Sequence, residues 1–337
     1  MAKKKKIKVL FMYKDFPQHM QRDLAALKTK FKVEVLERNF NLKNPLKLFE
    51  VTKKIRRNDV VFLRFANEQN LRLIKMARKF GKKTVLLSGG YDAVVMPDID
   101  YGLALTEKGK KTVVNTFNIT DTIVAFSDSS RDSILELAPR ANVITSYVGS
   151  IDTDYWRPKG KKDDIVITVG HVKWNNLKRK GLETFVRAAK YVPDNKFILI
   201  GGHADDSIDH LKKIATKNVE FTGFLDDGEM LKYLQRARVY VQASGHEGFG
   251  ISLANAMACE CVPVGTKRGS LPEVIADTGF FATFDKPKEL GKAIKKALAT
   301  EKGFEKKARK HIVKNFYLDR REKELIDIVE SLFQGKN

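Results

Sequence analysis

Ser244-Gly245-His246-Glu247-Gly248-Phe249-Gly250, running into Ile251-Ser252-Leu253-Ala254-Asn255-Ala256-Met257-Ala258, carries the most information in this chain. The apolar run Val239 to Ala243 before it reads as a strand, and the small-residue segment after it reads as a helix. A strand, a Gly-rich turn and a helix start leave backbone N–H groups and the positive end of a helix dipole at one spot, where a phosphate can sit. Gly248 and Gly250 let the backbone approach such a group with no Cβ in the way. Glu247 projects from the same turn and reaches whatever that phosphate carries. The plainer alternative is a strand-turn-helix corner with no ligand, and the turn alone does not choose.

Outward from this point, apolar strands alternate with amphipathic helices in both directions. In the first half, Ile7 to Met12, Val33 to Leu36, Val60 to Arg64, Thr84 to Leu87, Thr122 to Phe126 and Asn142 to Ile144 read as strands. In the second, Ile165 to Val169, Lys196 to Ile200, Val219 to Thr222, Val239 to Ala243 and Cys261 to Gly265 do so. Continuous apolar runs suit parallel strands buried on both faces. Helical periodicity fills the gaps, at Asn70 to Phe80 and Ser129 to Leu137, then at Leu182 to Tyr191, Ile208 to Thr216, Glu229 to Ala237, Ile251 to Cys259 and Lys288 to Ala299. The pattern predicts two doubly wound α/β domains. They are expected over residues 1–148 and 149–316, with a boundary near Gly149 and exposed connecting chain from Trp156 to Lys162. A closing amphipathic helix within 317–337 is expected to pack back on the domains.

Composition narrows the classes. The 337 residues suffice for two cores, and no run of about 18 apolar residues is present to span a bilayer. The basic start, Met1 to Lys6, leads straight into a strand and does not read as a signal peptide. Cys259 and Cys261 lie too close together to staple the fold, which points to a reducing, cytoplasmic setting. The formal net charge is +22, and residues 28–83 hold 17 basic against 5 acidic side chains. Such a surface suits an anionic partner: a phospholipid face or a phosphorylated acceptor. Nucleic acid is not expected, because basic and aromatic residues do not interleave. Within the segment, Pro45 to Arg57 reads as a basic amphipathic helix, with Leu46, Phe49 and Ile55 at helical spacing.

Five segments in order give the second half a family likeness. They are Ser150-Ile151-Asp152-Thr153-Asp154-Tyr155-Trp156-Arg157-Pro158, Lys180-Gly181, Ile200-Gly201-Gly202, Glu247 to Gly250 with Ala256-Met257-Ala258, and Gly269-Ser270-Leu271-Pro272-Glu273. Over about residues 148–315 the chain resembles retaining glycosyltransferases of the GT-B fold, the family 4 type. The likeness implies two facing Rossmann-like domains, with parallel sheets and helices on both faces. It implies transfer of a hexose from a nucleoside-diphosphate sugar to a glycan or lipid-linked acceptor, without a metal or other cofactor. Such work fits cell-surface glycan or glycolipid assembly at the inner membrane face. In the resembled family a strand-end Arg and the Lys of Lys-Gly hold the leaving diphosphate, an electrostatic role of the oxyanion-hole kind. Lys180 fills the second position; the first is His171, with Lys173 close by, and His is a poorer permanent cation. Glu247 is implied to bind the transferred sugar, while the family's second Glu, for the ribose, is here Asn255. Gly170, Gly201, His246, Gly248, Phe249, Gly250 and Ile251 complete the implied donor site.

The first half departs further. The family's Gly-Gly loop after the first strand is replaced by Tyr13-Lys14-Asp15-Phe16-Pro17-Gln18-His19, and its His near the fourth strand by Ser88-Gly89-Gly90-Tyr91-Asp92. Asp92 is expected to stand exposed at the carboxyl edge of the sheet, as a catalytic or acceptor contact, and His19 is the second acceptor candidate. Asp98-x-Asp100 and Asp152-x-Asp154 are not read as a metal site, because the helix start and Lys180 already answer the diphosphate. No Gly-x-Gly-x-x-Gly follows the first strand, which argues against a dehydrogenase. The departures at His171 and Asn255 leave a non-catalytic nucleotide-sugar binder as the rival, and an epimerase on the same architecture as another.

Overall fold

Among the described residues of a computed structural model, 6–38, 43–148 and 151–334, twelve strands build two six-stranded sheets, parallel throughout. The expected boundary at Gly149, Ser150 at the start of the Ser150 to Pro158 segment, and the lysines up to Lys5 lie outside the described residues. The first sheet holds β1 (Lys8–Tyr13), β2 (Lys32–Glu37), β3 (Val60–Arg64), β4 (Lys83–Ser88), β5 (Thr122–Ala125) and β6 (Val143–Thr145), in the order β2-β1-β3-β4-β5-β6. The second holds β7 (Asp163–Val169), β8 (Lys196–Ile200), β9 (Val219–Gly223), β10 (Ala237–Gln242), β11 (Val262–Thr266) and β12 (Phe280–Ala282), in the order β12-β11-β10-β7-β8-β9. Helices cover both sides of each. The chain divides into two compact units, Met1–Ser150 with Asp319–Asn337, and Ile151–Leu318.

The apolar runs became strands for the reason parallel sheets need them. Val9 to Met12 and Val60 to Leu63 are each no more than 1% exposed, because helices lie on both of their faces. Val9 sits opposite both Val33 and Val60, so the central strand packs valine against valine on either side. Helices begin where a side chain can accept from the first turn. Asn67, Thr106 and Ser127 each cap one, and Asp226 with Glu229 forms a reciprocal capping box. In the second unit Phe185, Phe197, Leu199, Val239 and Ile294 share one fully buried cluster.

Three expectations change. β12, Phe280–Ala282, was not anticipated. The stretch from Trp156 to Lys162 is not simply exposed chain: Trp156 is 3% exposed, and Lys162 Nζ donates to the carbonyls of Leu234 and Cys259 at 2.9 and 2.6 Å. In the Pro45–Arg57 helix, Ile55 and Val51 are buried while Leu46 and Phe49 are 81% and 71% exposed. Ile55 lies nine residues from Leu46, half a turn around the axis, so the helix has two apolar faces instead of one.

The inner face of that helix is fastened to β2 by Glu34. Its carboxylate accepts from Lys54 Nζ at 2.8 Å, Arg57 Nε at 2.8 Å and Asn58 Nδ2 at 2.9 Å. Burial pushes the Glu34 pKa up, but the hydrogen bonds from Arg57, Lys54 and Asn58 outweigh it and bring it from 4.5 to about 2. A depressed carboxylate contributes stability that is whole above its unfolded pKa and lost as pH falls toward the folded one. The denaturant midpoint is therefore expected to fall more steeply from about pH 5 to about pH 3 in the native chain than in Glu34→Gln. Parallel curves for the two proteins would show that the network adds nothing to stability.

The Leu318–Ser331 helix belongs to the first unit from Asp319 onward. Arg321 holds it there: Nε and Nη2 donate to the two oxygens of Asp23, at 2.7 and 2.8 Å, and both side chains are 3% exposed.

Candidate functional site

In the second sheet the chain lays β8 and β9 to one side of β7, then crosses to β10, β11 and β12 on the other. Between β7 and β10 the helix connections diverge, and the crevice at the carboxyl ends of those strands is where α/β folds bind ligands. Gly170 to Lys173 follow β7, and Ser244 to Gly250 follow β10. Both expected donor segments therefore meet at this switch point.

Glycine makes the approach possible. Gly181 has φ +65°, and a Cβ there would lie 2.0 Å from the Ala243 carbonyl oxygen, so the Lys180-Gly181 backbone rests directly on the end of β10. The Gly245 N–H donates to the Arg179 carbonyl at 2.8 Å, closing the same contact. Lys180 thereby reaches Glu247, its Nζ 2.6 Å from Oε1. Gly250, at φ +92°, starts the Ile251–Ala258 helix, and no side chain caps it.

Glu247 is 8% exposed, and its polar neighbours converge on one oxygen. Ser244 Oγ donates to Oε1 at 2.8 Å and Gln242 Nε2 at 3.0 Å, beside Lys180. Among the described residues no hydrogen bond falls on Oε2, which leaves that oxygen for a ligand hydroxyl. Burial pushes the carboxyl pKa up, but the charge and hydrogen bond of Lys180, the charge of Arg179 and the Ser244 hydroxyl reverse it to below the usual value. Glu247 is a carboxylate at neutral pH. Its own carbonyl accepts from the backbone N–H and hydroxyl of Ser270, both at 3.1 Å, which ties the Gly269 to Glu273 segment to the turn.

The other expected donor residues divide. His246 is 4% exposed; burial lowers its pKa to about 4, so it is neutral and supports the turn from inside. The Phe249 ring is buried against Phe316, 5.2 Å between centroids, so a contact there falls to its backbone. Gly170 and Gly201 pack together, since a Cβ on Gly201 would meet the Gly170 carbonyl at 2.0 Å. Asn255 is 7% exposed in the helix that Ile251 opens, and its amide makes no hydrogen bond to another described residue. His171 is exposed and Lys173 half-buried; neither is hydrogen-bonded to the Lys180–Glu247 pair. Two contributors were not anticipated. Gln242 closes β10 as a polar side chain after the run Val239 to Val241, and Arg179 stood beside Lys180.

In the first unit Asp92 requires a correction. It is 1% exposed, not solvent-facing, and its Oδ2 accepts from the Ala66 N–H and Ser88 Oγ, both at 2.8 Å. Burial pushes its pKa up. It braces the loops after β3 and β4 and offers no surface to an acceptor. His19 is half-buried, with burial first and Arg64 next lowering its pKa to about 4.

Residues 154–318 match the model of the family described as glycosyl transferases group 1. This part of the chain carries a likeness to group 1 glycosyl transferases. The match takes in β7 to β12 and both halves of the site. Among relatives of the group 1 domain, alpha-maltose-1-phosphate synthase of Mycolicibacterium smegmatis is 28% identical over 49% of this chain and 49% of its own. The serotype-specific mannosyltransferase WbdA of Escherichia coli is 25% identical over 58% of this chain and 26% of its own. The chain thus spans half, or less, of the length of these relatives. Solved structures of the same GT-B fold include sucrose-phosphate synthase from Thermosynechococcus elongatus, with TM-score 0.77, 14% identity and coverage of 97% and 99% of the two chains. Anabaena Alr3699/HepE, in complex with UDP and glucose, gives a TM-score of 0.76 at 16% identity over 96% and 100%.

Proposed function

We propose that this protein is a retaining glycosyltransferase that moves a hexose from a nucleoside-diphosphate sugar to a glycan or lipid-linked acceptor. The observation that carries the reading is the Lys180–Glu247 pair beside the uncapped start of the Ile251–Ala258 helix. The helix N–H groups and Lys180 meet the diphosphate, whose charge grows as the glycosidic bond breaks. Glu247 Oε2 accepts from a hydroxyl of the sugar. With Lys180 and the helix N–H groups in place the leaving group needs no metal, so chelation with EDTA is expected to leave the rate unchanged. Retention follows from the family likeness; same-face attack, with the leaving phosphate oxygen taking the acceptor proton, needs no protein nucleophile. Alr3699/HepE was solved with UDP-glucose, which makes that donor the first probe. The relative named alpha-galactosylglucosyldiacylglycerol synthase, of Streptococcus pneumoniae, 30% identical over 35% of this chain, supports a lipid among the acceptors.

Nucleotide release from UDP-, GDP- and ADP-sugars, with and without lipid or glycan acceptors, tests the reading. Release from one donor, accelerated by acceptor, is expected. Donor binding in calorimetry with no release under any condition would make the protein a binder only.

The outer face of the Pro45–Arg57 helix supports an anionic membrane as partner and the cytoplasmic face as its location. Leu46 and Phe49 project there, with Lys43, Lys47 and Lys53 exposed around them. Each basic residue near an anionic surface contributes about 1 kcal/mol, and buried apolar side chains add to it. Binding to phosphatidylglycerol vesicles but not phosphatidylcholine ones is expected, with a loss of about tenfold or more in the Leu46→Glu/Phe49→Glu variant. Equal flotation with both lipids would remove the membrane from the account.

A further inference from the structure

The first sheet has its own switch point. The chain runs from β1 to β2 on one side and crosses to β3 on the other, which opens a crevice at the carboxyl ends of β1 and β3. Arg64 is the last residue of β3, and Arg38 directly follows β2. Arg38 is 7% exposed, and its Nη1 donates to Asn70 Oδ1. Asn70, fully buried, donates in turn to the carbonyls of Arg64 and Phe65 at 2.6 and 2.7 Å, so one amide fixes both arginines. The Arg64 guanidinium stacks on the Phe65 ring, 4.3 Å from its centroid, and its Nη1 meets the Met20 sulfur at 3.6 Å.

Neither guanidinium has a carboxylate partner among the described residues, and the Nε of each is buried with no hydrogen bond. The acidic groups nearby are otherwise engaged. Asp23 is taken by Arg321; Asp92 accepts from Ala66 and Ser88 through Oδ2, and its charge, ahead of those of Asp15 and Asp23, reaches Arg64 without a contact; Asp15, whose field Arg38 also feels, is exposed and pairs with neither. Arg321, in the same unit and 3% exposed, shows what a satisfied buried guanidinium looks like here. Arginine does not escape burial by losing its proton, so Arg38, buried, and Arg64, half-buried, keep their charge with no carboxylate in contact.

We infer that Arg38 and Arg64 form an anion subsite at the carboxyl edge of the first sheet, which takes a phosphate or carboxylate group of the acceptor. The planar forks of two guanidiniums match either oxyanion. Assignment of that anion to the acceptor rests on the glycosyl-transfer reading; the anion site itself does not.

Calorimetry on the full chain with inorganic phosphate, and separately with malonate, tests this without any donor. Saturable binding is expected, with the stronger of the two ions naming the chemistry. Arg38→Gln and Arg64→Met are each expected to weaken it about tenfold or more, while Lys180→Ala, in the other unit, retains a first-unit binding event. Arg64→Met is also expected to melt higher than the native chain in anion-free buffer, because a half-buried charge with no carboxylate in contact is gone. A lower melting temperature with anion affinity unchanged would make Arg64 a structural residue and overturn the inference, as would unchanged binding in Arg38→Gln. A silent nucleotide-release panel would sink the transfer reading and leave these measurements standing.

Discussion

Glu247→Gln is expected to lower kcat/KM for glycosyl transfer by about 100-fold with the fold intact, the loss of one charge-assisted hydrogen bond that tightens as the sugar becomes cationic. Glutamine has the same shape, and the Ser244 hydroxyl and Lys180 that now donate to Oε1 can still donate to an amide oxygen. What disappears is the negative charge. Lys180 then remains, 23% exposed, without its partner, and its field falls more fully on the diphosphate. The effect is therefore expected mainly in kcat, with KM for the donor changed less, and the melting temperature serves as the control for folding. Should kcat/KM stay within about threefold while the variant remains folded, Glu247 does not touch the reacting sugar.

Arg321→Ala is expected to cost about 3–5 kcal/mol, because it leaves Asp23 ionised and buried with no counter-charge. For a unit of this size that corresponds to a fall of roughly 10 °C or more in the melting temperature of the first unit. Arg321 Nη1 also donates to the Ser146 carbonyl, so the change strips the Leu318–Ser331 helix of its hold on the chain after β6. The pair does not make the unit stable merely by being a salt bridge: Arg321→Leu with Asp23→Leu is expected to regain most of the loss, since neither charge is then desolvated. A loss below about 1 kcal/mol in Arg321→Ala would mean that water reaches Asp23 once the arginine is gone.

Wherever a physical demand is local, it was legible. Parallel strands buried on both faces must be apolar along their whole length, so β1, β3 and β10 stood out as runs. A turn that needs a positive φ at Gly250, or a backbone contact that leaves no room for a Cβ at Gly181, admits almost nothing but glycine. Those residues mark the donor segments even before the strands carrying them are ordered into a sheet. Charge density was legible too, as a property of composition.

What depended on packing was not. A Gly-Gly-Tyr-Asp segment at a strand end looks the same whether its carboxylate meets solvent or braces two loops, and only the neighbouring Ala66 and Ser88 turn Asp92 inward. Amphipathic spacing in Pro45–Arg57 could not say that its two apolar faces point apart, because that is decided by what covers Val51 and Ile55. Arg321 and Asp23 are separated by 298 positions, and Lys180 and Glu247 by 67. Local rules fix backbone conformation over a few residues, whereas the partner of a charge is chosen by chain closure. So the strands, the glycine turns and the phosphate-ready helix start belong to the sequence. The pairing that makes Glu247 a fixed carboxylate, and leaves Arg38 and Arg64 without one, exists only once both sheets are assembled.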